Sequence, residues 1–255
     1  MINTLNDLKN YLSDNKLIKI FLLCGNNSFS NSGAKSFINN NLKNKETKFF
    51  FKKSQIPEIN ELIKIIDEIR IFKPDLILAI GGGTIIDYAK IANVVENKVN
   101  LKDLIINYAY PFKKKYTKLA VIPTTAGSGA EVTSNAVIYV DNIKHSFESE
   151  LLIPDIFFLI PEFLVSAPNI IKASAGFDAI AQALESLISQ KSDEKSIDYA
   201  TKSLNISTKS YISYLKNPDL KNASEMIIAS NLAGKAINIS KTTLPHAVSY
   251  PFTSF

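Results

Sequence analysis

The chain has 255 residues, of which 46% are hydrophobic, enough for one large domain or two of modest size. Its formal net charge of +5 comes mainly from scattered lysines, and Arg70 is the only arginine; this argues against nucleic-acid recognition. No apolar run reaches the roughly 20 residues that span a bilayer, residues 1–9 lack the basic start and apolar core typical of a signal peptide, and Cys24 is the only cysteine, so we expect a cytoplasmic location.

Strand and helix patterns alternate through the first 160 residues. Leu5, Leu8 and Leu12 form one apolar face of a short helix within residues 1–15. Buried strands are predicted at residues 17–23, 48–51, 74–80 and 118–122, and helices after residue 30, over residues 56–71 and from residue 84. Such alternation predicts right-handed crossovers and a mainly parallel sheet. Nucleotides bind at the carboxyl ends of such strands, where three loops begin, at Gly25, Gly81 and Thr124.

The pattern changes after Leu164, where strand signals disappear and apolar residues recur at helical spacing. Three helices are predicted, over residues 172–190, 195–215 and 222–239. The sequence therefore predicts an α/β domain over residues 1–163 and a helical domain over residues 164–255.

A run of glycines follows the third predicted strand, and Thr84 follows the glycines. Because glycine has no Cβ, the backbone at Gly81, Gly82 and Gly83 can approach an anion, at which the first N–H groups of the next helix would point. We expect Thr84 to cap this helix, and Asp87, one turn later, to suit its positive end and to reach a ribose or nicotinamide group. A plain strand–turn–helix junction is the alternative interpretation.

A loop rich in glycine and hydroxyl groups follows the fourth predicted strand. It contains Thr124, Thr125 and Ser128. Taken alone, these hydroxyls could simply satisfy nearby backbone groups. Beside the glycine run, they would supply hydrogen-bond donors to a second face of a dinucleotide.

Together the two loops read GGGT-x-x-D-x-A-K and P-T-T-A-G-S-G-x-E-V-T. This pair of motifs resembles those of the iron-containing (group III) alcohol dehydrogenases, relatives of glycerol dehydrogenase and dehydroquinate synthase. The resemblance runs from about Phe21 to the last residue and includes residues 152–155, 175–179, 231–236 and 242–247. It implies a Rossmann-like dinucleotide-binding domain followed by an all-helical domain, as in dehydroquinate synthase, with catalysis in the cleft between them.

The resemblance also implies where the cofactor binds. Residues 25–28 would lie at its adenosine end, and a set on the two loops would hold the pyrophosphate and neighbouring groups: Gly82, Gly83, Thr84, Asp87, Thr124, Thr125 and Ser128. No clear acidic residue for a ribose follows the second strand, where Lys52 and Lys53 stand. The choice between NAD and NADP therefore stays open.

Members of this family bind a divalent metal, iron or zinc, on one aspartate and three histidines. Asp178 matches the aspartate and His246 a later histidine, but Gln182 stands where a second histidine is usual. Gln182 faces the same side of the helix as Asp178, yet its neutral amide oxygen is a weaker ligand than imidazole. The last ligand would lie beyond Phe255, so we expect a chain that is truncated at the C-terminus. Without the resemblance, Asp178 would read as an ordinary helix residue and His246 as a core histidine.

The segments around Gln182 and His246 look like the phosphonoacetaldehyde reductase branch of the family. The resemblance implies hydride transfer between NAD(P)H and a small aldehyde or primary alcohol, with the metal polarising the substrate oxygen. Lys144 is a candidate partner for an anionic substrate. A truncated, inactive nucleotide-binding remnant is the main alternative, and a cyclase like dehydroquinate synthase is disfavoured by the second loop. We expect a small-molecule partner, no nucleic acid and no membrane, and a homo-oligomer stays open.

Overall fold

The computed structural model describes residues 2–95, 100–107, 109 and 112–252. Its strands are β1 (Lys19–Gly25), β2 (Glu46–Lys52), β3 (Leu76–Gly81), β4 (Lys118–Pro123), β5 (Asn135–Val140), β6 (Ile143–Glu148) and β7 (Ile156–Phe157). Its α-helices are α1 (Leu5–Leu12), α2 (Asn26–Asn31), α3 (Ala34–Asn41), α4 (Ile59–Phe72), α5 (Gly83–Val94), α6 (Leu101–Ile106), α7 (Glu162–Val165), α8 (Asn169–Ile188), α9 (Glu194–Lys216), α10 (Leu220–Ser240) and α11 (Leu244–Phe252).

Five parallel strands form the central sheet in the order β2-β1-β3-β4-β7. Side chains of β1 alternate between two cores: Phe21 and Leu23 pack with α4 and α5 on one face, while Leu22 and Cys24 pack with α1 and α3 on the other. Strands buried on both faces read as continuous apolar runs, which is why the sequence predicts them. Burial raises the pKa of the Cys24 thiol and keeps this free cysteine inert.

An antiparallel hairpin, β5–β6, is absent from the sequence prediction. Its two turn residues, Asp141 and Asn142, have φ angles of 49° and 64°, as the tight turns of hairpins require. The hairpin lies beside α5, and the backbone N–H of Tyr139 donates to the carbonyl of Pro57 at 2.6 Å. A polar Asp–Asn pair between two β-prone segments was the available signal for this hairpin.

Two local expectations at the strand ends are wrong. Helix α5 begins at Gly83 with Gly82 as its N-cap, so Thr84 lies inside the first turn and does not cap the helix. Residues 26–31, expected to begin as a loop after β1, form the short helix α2 directly after Gly25. In both places a glycine at the strand end leaves room for the helix to start at once: a Cβ added at Gly25 would lie 2.4 Å from Ser28 Oγ, and one added at Gly81 would lie 2.6 Å from Ile85 Cγ1.

The region after Leu164 is helical in the structure, as predicted, and α8, α9 and α10 pack against one another. Their shared core is made of small side chains, which let the helices approach closely: Ala179, Ala183, Ala200, Ala233 and Ala236. None of the helices in the described ranges is long and apolar enough to cross a bilayer.

Glycines bring the loop after β4 against these helices. A Cβ added at Gly234 of α10 would lie 2.7 Å from the Cα of Gly129, and one added at Gly127 would lie 2.8 Å from the carbonyl oxygen of Ala175 on α8. Gly129 also has a positive φ of 58°. Side chains at these positions would force the loop and the helices apart.

We expect Gly129→Ala to lower the free energy of unfolding by about 3 kcal/mol. The alanine would have to keep a left-handed backbone conformation, and its Cβ would overlap the backbone of Gly234. Gly33→Ala is the matched control: Gly33 has a φ of 83°, but no heavy atom lies within 4 Å of an added Cβ. This control should lose only about 1 kcal/mol in denaturant titrations. Equal losses for the two variants would contradict the close backbone packing.

Candidate active site

The two loops predicted to bind a dinucleotide lie against each other at the carboxyl ends of β3 and β4. The backbone N–H of Thr124 donates to the carbonyl of Gly81 at 3.0 Å. A Cβ added at Gly82 would lie 3.3 Å from Thr125 Oγ1, and one added at Gly83 would lie 2.8 Å from Ser128 Oγ. The structure therefore brings both loops to one edge of the sheet, as the strand order requires.

The junction of these loops fits an anionic group. No side chain caps the first turn of α5, so the positive end of this helix faces the junction without a carboxylate to neutralise it. The hydroxyl of Thr124 is buried and has no hydrogen-bond partner among the described residues. An unpaired buried hydroxyl is costly, and a bound phosphate oxygen would satisfy it.

Charged side chains of α5 lie beneath the hairpin. Lys90 is fully buried and donates to Thr133 Oγ1 at 3.1 Å and to the carbonyl of Asn135 at 2.8 Å. Burial lowers the pKa of Lys90 to about 8, and Asp87 opposes that shift. Burial raises the pKa of Asp87 to about 6, against the influence of Lys90 and of the Val137 N–H, which donates to Asp87 at 3.2 Å.

A cavity of about 470 Å³ connects the two halves of the predicted site. Asp87, Ser128 and Lys144 line its sheet side, and Asp178, Gln182 and His246 line its helical side. The structure thus places two predicted cofactor residues, Asp87 and Ser128, around one space with the predicted metal ligands. The other predicted cofactor residues do not line it: Gly82, Gly83, Thr84, Thr124 and Thr125. Burial lowers the pKa of Lys144, while the carboxylates of Asp87 and Asp178 oppose that change.

Two of the predicted metal ligands, Gln182 and His246, contact the third, Asp178. Gln182 Nε2 donates to Asp178 Oδ2 at 3.1 Å, and His246 Nε2 lies 3.2 Å from Asp178 Oδ1. The other ring nitrogen of His246 contacts the carboxylate of Glu185, a residue for which the sequence analysis predicts no role. His246 therefore lies between two carboxylates and is not a core histidine bonded to a carbonyl. Hydrogen bonding to Asp178 and Glu185 outweighs burial and raises the pKa of His246.

The donor chemistry fits a divalent metal with three protein ligands. In the part of the chain that the structure describes, no group of three or more His, Cys, Asp or Glu side chains is arranged to hold a metal, and the third predicted donor is the amide of Gln182. Gln182 Oε1 is buried and has no hydrogen-bond partner among the described residues. Three protein donors with open positions are typical of catalytic metal sites, and a cation would satisfy this orphaned oxygen.

Comparison with known families shows the family to which the chain belongs. Residues 2–161 match the family model described as iron-containing alcohol dehydrogenase, and residues 172–255 match the C-terminal model of the Fe-containing alcohol dehydrogenases. The chain belongs to the iron-containing alcohol dehydrogenase family. Its likeness to solved members confirms the expected Rossmann-like α/β region followed by a helical region.

Two dehydrogenases and one reductase are similar to most of this chain. A 1-propanol dehydrogenase from Citrobacter freundii is 30% identical over 76% of this chain and 50% of that protein. A 4-hydroxybutyrate dehydrogenase from Clostridium kluyveri is 28% identical over 76% of this chain and 52% of that protein. A sulfoacetaldehyde reductase from Bifidobacterium kashiwanohense, solved with NAD+, shares the fold with a TM-score of 0.90 at 24% identity, covering 100% of this chain and 70% of that one. The chain spans about half the length of the 1-propanol dehydrogenase and of the 4-hydroxybutyrate dehydrogenase.

The raised pKa of Asp87 predicts how stability depends on pH. Because the folded state holds this proton more tightly than the unfolded state, Asp87 lowers the free energy of unfolding as the pH rises through the interval from about 4 to about 6. We expect Asp87→Asn to gain about 2 kcal/mol relative to the parent chain across that interval, measured by denaturant titration. Asp103→Asn, at an exposed side chain of α6, controls for the loss of one carboxylate. A parent–variant difference that stays constant with pH would contradict this electrostatic account.

Proposed function

We propose that this chain carries the active site of a reductase that transfers hydride between NAD(P)H and a small aldehyde or primary alcohol. The observation that carries the proposal is the cavity, which has Asp87 of α5 and Ser128 of the hydroxyl-rich loop on one side and Asp178, Gln182 and His246 on the other. In this proposal residues 1–163 bind the dinucleotide, and residues 164–255 supply the metal and substrate side.

The residues around the cavity would divide the work. Gly82, Gly83 and the start of α5 would bind the pyrophosphate, and Thr124 would donate its unpaired hydroxyl. The nicotinamide cofactor supplies the hydride when bound. Asp178 and His246, with the weaker donor Gln182, would hold iron(II) or zinc, which polarises a carbonyl oxygen. With the cofactor-binding residues and the metal-binding residues on opposite sides, the site would orient the two reactants and exclude water from the space between them.

An anionic substrate fits the lysines of the cavity. Lys144 lies on the sheet side, and Lys241 lies at the end of α10, where its ammonium pairs with Glu148 at 2.5 Å. The similar proteins include a dehydrogenase of a hydroxycarboxylate and a reductase of a sulfonated aldehyde. We therefore propose phosphonoacetaldehyde, a small aldehyde with a phosphonate, as the first substrate to test.

The position of Gln182 supports a second candidate, nucleotide binding without hydride transfer. A neutral amide binds iron or zinc more weakly than the usual imidazole, so the metal side could be too weak for catalysis while the cofactor side stays intact. The two candidates differ in turnover but share nucleotide binding.

The direct experiment is to purify the chain, add iron(II) or zinc, and follow NADH and NADPH oxidation with phosphonoacetaldehyde and simple aldehydes. Turnover that depends on metal and aldehyde is the expected result. Retained NAD(P)H binding without turnover would support the second candidate, and loss of both would exclude both candidates. Parallel assays with NADH and NADPH decide between the two cofactors.

Gly83→Val tests the cofactor side. Its side chain would press on Ser128, because even an added Cβ would lie 2.8 Å from Ser128 Oγ, and it would crowd the anion site. We expect NAD(P)H affinity, measured by fluorescence titration, to fall at least about tenfold. Gly33→Ala, outside both loops, is the control and should keep the affinity of the parent chain. Unchanged affinity in Gly83→Val would exclude this loop as the pyrophosphate site.

Lys144→Gln tests the substrate class. We expect its KM for phosphonoacetaldehyde to rise about tenfold, since a charge-assisted hydrogen bond is lost, while the KM for uncharged propanal changes little. Lys221→Gln, at an exposed position of α10, is the control for general loss of charge. A parallel rise for both aldehydes would show that Lys144 supports the site without recognising an anion.

A further inference from the structure

Glu185 is the most deeply buried carboxylate beside the metal ligands, and the sequence analysis predicts no role for it. Glu185 is 3% exposed and lies on α8, one turn after Gln182. Its two oxygens have different partners. Oε2 accepts hydrogen bonds from the backbone N–H of Thr243 at 2.5 Å and from the Thr243 hydroxyl at 2.8 Å, whereas Oε1 contacts Nδ1 of His246.

These contacts define the orientation of the His246 ring. An ionised carboxylate has no proton to donate, so the ring nitrogen that contacts it must carry the hydrogen. The other nitrogen, Nε2, lies 3.2 Å from Asp178 Oδ1 at the cavity, and a proton held there between ring and carboxylate is the one that a metal ion would displace. A carboxylate on the far nitrogen of a metal-binding imidazole fixes both its tautomer and its orientation.

We propose that Glu185 is a positioning residue that holds His246 as the Nδ1–H tautomer, so that Nε2 can bind a divalent metal. Its second oxygen anchors the turn before α11 and so keeps His246 over α8. The inference rests on the metal site of the proposed function, and it assigns to a buried glutamate a task separate from metal ligation.

Glu185→Gln separates these two tasks. The two donors of Thr243 require an acceptor, so the amide oxygen of the new glutamine should face Thr243. Its NH2 group then faces His246. Nδ1 must then accept a hydrogen bond, which moves the ring proton to Nε2 and blocks the nitrogen that would bind metal. Glu185→Gln thus keeps the turn and inverts the tautomer. Thr243→Val, the control, removes one hydrogen bond of the turn and leaves the contact between Glu185 and His246.

The test combines nitrogen NMR of the imidazoles with zinc titration calorimetry. The chain has two histidines, so His145→Gln assigns the signals of His246. At alkaline pH we expect the Nδ1–H tautomer in the parent chain and in Thr243→Val, and the Nε2–H tautomer in Glu185→Gln. Zinc affinity should fall about tenfold or more in Glu185→Gln and stay within about threefold in Thr243→Val. The metal-free melting temperature should remain close to that of the parent chain.

Parent-like zinc affinity in Glu185→Gln, or equal losses in both variants, would overturn the inference. Failure of the parent chain to bind zinc would overturn it as well. Zinc binding that depends on Glu185 without any NAD(P)H oxidation would support the inference and reject only the proposed reductase activity.

Discussion

The cavity depends on a backbone-to-backbone contact between the loop after β4 and helix α10. At Gly129 and Gly234 no side chain separates the two main chains, so the loop lies directly on the helix. One turn earlier on α10, Asn231 donates to the buried carboxylate of Glu131 at 2.9 Å and holds the same loop a second time. Because this loop also carries Ser128, the contact fixes the distance between the predicted cofactor side and the helical side.

The sheet side of the cavity is held by buried charge as well as by apolar packing. Lys90 reaches from α5 to Thr133 and Asn135, so the start of the hairpin is tied to the helix that follows the glycine loop. A buried ammonium is tolerated only when acceptors and a nearby carboxylate compensate for lost hydration, which Asp87 provides in part. The burial of these groups between α5 and the hairpin also raises the pKa of Asp87 at the cavity, and the nearby Lys90 opposes that shift.

Local pattern predicts the sheet and the long helices because each buries apolar side chains at a regular period. The hairpin is missed because its inner face is short, with Ala136 and Ile138 as modest signals beside a polar turn. The cap predicted at Thr84 is wrong because the helix begins at Gly83, and its N-cap is Gly82, two residues before Thr84. Glu185 cannot be found by pattern, since its partner His246 lies 61 residues later and meets it only in the folded chain. The resemblance locates the residues of the site, and the structure supplies their partners.

The glutamine at position 182 changes how the metal side would have to work. An imidazole there would bring a strong nitrogen donor, whereas the Gln182 amide brings a neutral oxygen and currently donates to Asp178. Binding a cation would require this amide to turn, so that its orphaned oxygen replaces its NH2 group beside Asp178. Most of the affinity for the metal would then come from the Asp178 carboxylate and the His246 imidazole. With fewer strong donors, the orientation of that one imidazole matters more, and the buried carboxylate behind it becomes part of the metal chemistry.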